Sequence, residues 1–170
     1  SYDRASASSI DGTNSSEFGS ACELSGDSKR LIVGNPQGSI RGLVKIYEWN
    51  TFENKWYQMG DTLYGDYPDA NVNDSNTGFG FGIAINYDGS IIAVGSRLDS
   101  HVGSGHYNYG HVRVFQWNGS NWQQLGSDIF SGDTSDPNNH SESLSQYFGG
   151  AVALSDSGLT IAIGCYHWVY

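Results

Sequence analysis

Residues 79–95 read FGFGIAINYDGSIIAVG, and residues 148–164 read FGGAVALSDSGLTIAIG. Both open on Phe-Gly, pass through a turn-forming centre and close on a Gly. A third, more worn copy opens on Phe18-Gly19 and closes on Gly34. Leu31, Ile92 and Ile161 share one position in the three copies, and Leu24, Ile85 and Leu154 share another. Such self-similarity means that one supersecondary unit is written several times, and a unit this small buries its apolar sides only against a neighbouring copy.

The match continues downstream. GLVKIYEW from Gly42 answers GHVRVFQW from Gly110, and KWYQMG from Lys55 answers NWQQLG from Asn121. DTLYGD from Asp61 resembles SDIFSGD from Ser127. Period two marks these pieces as strands. Val112, Val114 and Gln116 point one way, and His111, Arg113, Phe115 and Trp117 the other. In AVAL, Val152 and Leu154 alternate with Ala151 and Ala153. One face is large and the other small, and neither is polar, so both are expected to be covered by sheets. Helical periodicity is absent. The expected fold is all-β, built of four-stranded antiparallel sheets. Residues 18–78 form one unit, 79–147 a second, and 148–170 the first two strands of a third. Residues 1–17 end a preceding unit or a connection.

The segments FGGAVALSDSGLTIAIG, GHVRVFQW and SNWQQLGSDIFSGD resemble the FG-GAP repeats of integrin-α-type β-propellers. They are still more similar to the FG-GAP-like repeat proteins of marine bacteria and algae, with their W-x-Q-L-G pattern. The resemblance spans nearly the whole chain and implies β-propeller-type blades, about two and a half of them. It departs at the "GAP" element, where Asn35-Pro36, Ser96-Arg97 and Cys165-Tyr166 follow the closing Gly. The acidic calcium loop of integrin blades is missing too, so calcium is not implied there. A ring closes with at least about four blades, so the expectation is that the chain is a fragment, that several copies assemble, or that partner chains supply the rest.

Charge narrows the partners. With 8 Lys plus Arg against 18 Asp plus Glu, the net charge is −10. Nucleic acid and anionic membranes need a clustered positive field and are not expected as partners. No apolar run reaches the roughly 20 residues that span a bilayer, so no membrane insertion is expected. SYDRASASSIDG has no apolar core of the signal-peptide kind, as expected of a processed chain or an excised fragment alike. Four Asn-x-Ser sequons, at Asn14, Asn73, Asn118 and Asn139, are candidate glycosylation sites and point to an extracellular or cell-surface location. Cys22 and Cys165 fit either a disulfide or two buried free thiols.

Chemistry is sparse. The sequence holds no G-x-S-x-G, H-E-x-x-H, P-loop or C-x-x-C motif, so a non-enzymatic role without a cofactor is expected. One loop suits calcium: Asp69, Asn71 and Asn73 alternate and Asp74 follows, offering oxygen ligands without the Gly and Glu of a full calcium loop. Asp133, Asp136 and Glu142 are spaced more loosely. His101, His106 and His111 lie in one stretch that a loop can gather around zinc or copper, but His111 sits on a strand where the first unit has Leu43. It is expected to pack with only a polar tip outward.

Trp49, Trp56, Trp117 and Trp122 recur at matched positions and are expected to pack structurally. Tyr107, Tyr109, His167 and Trp168 do not recur. They are the candidate binding residues, able to stack on a sugar or anchor a protein. The expected function is a non-enzymatic extracellular structural or interaction module binding a protein or glycan through its loops. One alternative is a subunit of a filament, sheath or larger complex, completed by other chains or by self-assembly. Another, by fold analogy alone, is part of a propeller hydrolase or lyase.

Overall fold

The structure, a computed structural model, describes residues 17–38, 41–66, 77–98, 110–130 and 147–165. Among them the fold is all-β and antiparallel, with no helix. The first sheet holds β1 (Ala21–Leu24), β2 (Arg30–Asn35), β3 (Leu43–Asn50), β4 (Lys55–Gln58) and β5 (Leu63–Tyr64). The second holds β6 (Phe79–Ile85), β7 (Ile91–Ser96), β8 (His111–Trp117), β9 (Trp122–Gln124) and β10 (Ile129–Phe130). β11 (Ala151–Leu154) and β12 (Ile161–Gly164) pair as a third.

Both larger sheets have the same build. Three strands pair in sequence order, and the outer edge is shared by two short ones. β4 covers one end of β3 and β5 the other; β9 and β10 divide β8 in the same way. A single fourth strand was the simpler expectation. The edge splits because Gly60 and Gly126 turn the chain with φ of 76° each, a left-handed conformation that glycine takes without strain. The Gln58 side chain spans the first break, donating to Gly60 O and Thr62 Oγ1. Gln124 spans the second, donating to Gly126 O and Asp128 Oδ1.

The sheets stack face on face. Between the first and second lies a core of Ile32, Val44, Ile46, Met59, Phe79, Ile85, Ile92, Val94, Phe115 and Trp122. Burying each large side chain contributes about 1.5–3 kcal/mol. Between the second and third, Ala84, Ala93 and Val112 meet Val152, Leu154, Ile161 and Ile163. Phe115 and Trp117 thus lie in one cluster and Val112 and Val114 in the other, the split that alternation along β8 dictates.

The recurrent tryptophans form cross-strand pairs. Trp49 opposes Trp56 with ring centroids 5.2 Å apart, and Trp117 opposes Trp122 at 5.4 Å. Trp122 goes further: its Nε1–H donates to Met59 O of the first sheet at 2.9 Å, inside the core.

Candidate functional site

Two places in the fold concentrate unusual geometry. The first is the seam between sheets. Gly80 follows Phe79 with a φ of 92°, and Gly149 follows Phe148 with a φ of 84°. This left-handed backbone turns each peptide carbonyl onto the sheet before it. A Cβ on Gly34 would stand 2.1 Å from Gly80 O, and one on Gly95 would stand 2.0 Å from Gly149 O. A Cβ on Gly42 would lie 2.3 Å from Phe79 O, and one on Gly110 would lie 2.2 Å from Phe148 O. The two seams therefore agree to about a tenth of an ångström. Each needs glycine on both sides because backbone meets backbone with no room for a methyl group.

Side chains sort by size across the second sheet. Directly paired residues of an antiparallel sheet share a face. Ile83↔Val94 and Ile85↔Ile92 turn toward the first sheet, and Ala84↔Ala93 toward the third. In the third sheet Val152↔Ile163 and Leu154↔Ile161 face the second. Its other face, Ala151, Ala153, Ala162 and Gly164, is exposed. At the opposite end, Cys22 and Leu24 turn away from the second sheet with their partners Val33 and Leu31. Of that row only Val33 is buried, and Leu24 is 51% exposed. Among the described residues, the outermost faces of the stack are a small-residue face on one side and a larger-residue face on the other.

The turn tips add hydrogen bonds between neighbouring sheets. Asp27 N donates to Tyr87 O at 2.9 Å, and Tyr87 N donates to Asp156 O at 3.1 Å. Asp27 and Asp88 hold matching positions in the first two turns. The Ser25 hydroxyl holds the Asp27 carboxyl below the usual carboxylate range, helped by the Lys29 backbone N–H and charge. The Ser90 hydroxyl does the same for Asp88, with the Ser90 backbone N–H and the Asn86 amide. Glu23 moves the other way. Burial beside the second sheet pushes its carboxyl up, against a smaller lowering by a hydrogen bond from the Ile85 backbone.

The second place is a polar junction where the tail of the first sheet crosses the start of β8. His111 is 1% exposed. Its Nε2 lies 3.8 Å from Asp66 Oδ2 and 3.9 Å from Asp128 Oδ2. Each carboxylate is held by its other oxygen. Arg113 Nη1 donates to Asp66 Oδ1 at 3.3 Å, and Gln124 Nε2 donates to Asp128 Oδ1 at 2.7 Å. Arg113 also donates to Tyr64 O at 3.0 Å and stacks over Phe79 at 4.6 Å. Lys45 stands over Phe18 in the matching way, at 5.6 Å. The cation on the Phe-Gly ring thus occurs in both large sheets, whereas among the described residues the His–Asp–Asp group occurs only at this junction. Strand pairing puts Leu43 of the first sheet where His111 stands, and Thr62 where Asp128 stands.

Most residues singled out from the sequence lie outside the described ones: Tyr107, Tyr109, His167 and Trp168, the calcium candidates Asp69, Asn71, Asn73 and Asp74, the sequons at Asn14, Asn73 and Asn139, and His101 and His106. Asn118 is described. It is exposed in the β8–β9 turn, where its Oδ1 accepts hydrogen bonds from Ser120 N, Ser120 Oγ and Asn121 N. Asn50 caps the matching β3–β4 turn, accepting from Phe52 N and Glu53 N. Cys22 and Cys165 are both exposed and unbridged, which overturns the expectation of buried thiols and of a disulfide alike. His111 is buried whole, polar tip included, because the two carboxylates come to it. Asp66 and Asp128 were not singled out in the sequence. The available signal was the departure of the second unit from the first, Leu43 to His111 and Thr62 to Asp128. No protein-family model and no curated protein matches this sequence.

Proposed function

We propose that the chain is a run of propeller-type blades acting as a non-enzymatic structural and interaction module, extracellular or at the cell surface. The observation that carries this reading is the glycine seam, built twice to the same dimensions, with a small-residue face and a larger-residue face left open at its two ends. In the second seam the large face of the third sheet, Val152, Leu154, Ile161 and Ile163, seats on Ala84 and Ala93, whereas in the first seam Ile83, Ile85 and Ile92 seat on Ile32, Val44 and Ile46. The small face of β11–β12 matches the Ala84–Ala93 face that receives the third sheet, so it suits the large face of another Phe-Gly sheet, with Gly164 in the role of Gly95. This favours completion by other Phe-Gly sheets, including those of a second copy. The acidic charge and the sequons support the location.

Sedimentation velocity across a concentration series tests the reading. The chain is expected to self-associate, and Ala162→Lys, which puts a charge on the open face, is expected to abolish association while leaving the melting temperature of the fold intact. A chain that stays monomeric up to its solubility limit, or an Ala162→Lys variant that associates equally well, rules the reading out. Binding of a protein or glycan through Tyr107, Tyr109, His167 and Trp168 is the companion proposal, and a glycan array with Tyr107→Ala and Tyr109→Ala variants tests it.

A further inference from the structure

We infer that Asp66, His111 and Asp128 form a binding site for a divalent first-row transition-metal ion, zinc being the ion that the donor set suits. The three donor atoms lie within 4.8 Å of one another. The separations of His111 Nε2 from the two Oδ2 atoms, 3.8 and 3.9 Å, exceed a hydrogen bond. They are close to the separation of two ligands on one ion, about 3.4 Å for tetrahedral zinc with ligands at about 2.0–2.2 Å. The two His–Asp separations need a few tenths of an ångström to close, and the donor atoms, spread over up to 4.8 Å, need about an ångström of carboxylate movement to meet on one ion. Asp66, 52% exposed, has the freedom to supply it and leaves the ion a way in from solvent.

Three further features support the site. Each carboxylate has its Oδ1 tied to a neighbouring donor and its Oδ2 turned to the same imidazole nitrogen. That is how supporting hydrogen bonds orient metal ligands. The charge also fits. Two carboxylates and the Arg113 guanidinium leave the group one negative charge with His111 neutral, so a divalent cation brings it to one positive charge. Finally, the group breaks a pattern that stacking alone does not require to be broken, since Leu43 and Thr62 fill the same places in the first sheet. An imidazole donor selects zinc, copper or nickel over calcium or magnesium. Three protein ligands leave a fourth position for water.

The test is a zinc titration of the chelator-treated chain, in competition with a chromophoric chelator, comparing wild type with His111→Leu, Asp128→Thr and Asp66→Asn. The first two install the residues that the first sheet already carries at these places, so the fold is expected to survive, and far-ultraviolet circular dichroism with thermal melting checks that it does. Asp66→Asn, at a half-exposed position, serves if either fails to fold. Wild type is expected to take up one zinc equivalent that each variant loses or binds at least about 100-fold more weakly. Gln124→Leu, which frees Asp128 Oδ1, is expected to weaken binding by about 10–100-fold. Cobalt in place of zinc is expected to give the visible absorption of a four-coordinate site in wild type and not in His111→Leu. Wild type binding no zinc, or wild type and folded variants taking up equal zinc with equal affinity, overturns the assignment.

Discussion

Gly95 and Gly149 meet backbone to backbone: a methyl group on Gly95 would stand 2.0 Å from the Gly149 carbonyl oxygen. Gly164 holds the matching place in the third sheet, and its nearest neighbour would be Ala151 Cβ at 3.2 Å. One substitution therefore has two outcomes. Gly95→Ala is expected to cost about 3 kcal/mol, since the second and third sheets must part to admit the methyl. Gly164→Ala is expected to change the stability of the dissociated chain by less than about 0.5 kcal/mol. Denaturant unfolding of the two variants measures both, and equal costs would mean that the seam does not hold the sheets together.

Trp122 ties the second sheet to the first through a buried hydrogen bond to Met59 O. Trp122→Phe keeps an aromatic ring but removes the donor, leaving a carbonyl unpaired in the core. The expected loss is about 2–3 kcal/mol. Thermal unfolding followed by near-ultraviolet circular dichroism detects it, and an unchanged midpoint would remove Trp122 from the account of sheet stacking.

Acid is expected to loosen the turn tips. The folded-state pKa of Asp27 and Asp88 is lowered, chiefly by the Ser25 and Ser90 hydroxyls. A lowered carboxylate contributes stability that is complete above the unfolded value, about 3.9, and is lost as pH falls through the lowered folded value. Asp88→Asn is accordingly expected to be less stable than wild type at neutral pH and to converge on it in acid. Urea midpoints from pH 7 down to pH 2 check this; a gap of constant size would show that the charge of Asp88 is not what matters.

Glu23 is expected to behave in the opposite sense. Burial raises its folded pKa, so the ionised form weighs against the fold at neutral pH and the penalty is relieved as pH falls. Glu23→Gln is expected to be slightly more stable than wild type at pH 7, with the advantage disappearing in acid below the unfolded value of about 4.3. The same urea series measures it, and a less stable Glu23→Gln at pH 7 would mean that the hydrogen bond from Ile85 outweighs the burial.

The sequence by itself determined the strands and their faces. Alternation along β8 separates Phe115 from Val112, and the Phe-Gly pairs with their distant closing glycines mark three copies of one unit. These signals are legible because the periods of a strand and the requirements of glycine are local properties of the chain. The partner of each glycine was not legible. That Gly34 receives Gly80 and Gly95 receives Gly149 depends on how one sheet settles on the next, and so does the split of the outer edge at Gly60 and Gly126.

Only the tertiary structure decided the junction. Asp66, His111 and Asp128 come from three separate segments, and His111 on its own looks like a packed strand residue. The convergence arises because β10 pairs with the start of β8 while Arg113 draws the tail of the first sheet across it. Donor geometry of this kind is a product of pairing register and sheet stacking, neither of which is written in any single stretch of residues. The sizes of side chains dictate that the sheets stack; the stacking alone dictates which polar groups end up side by side.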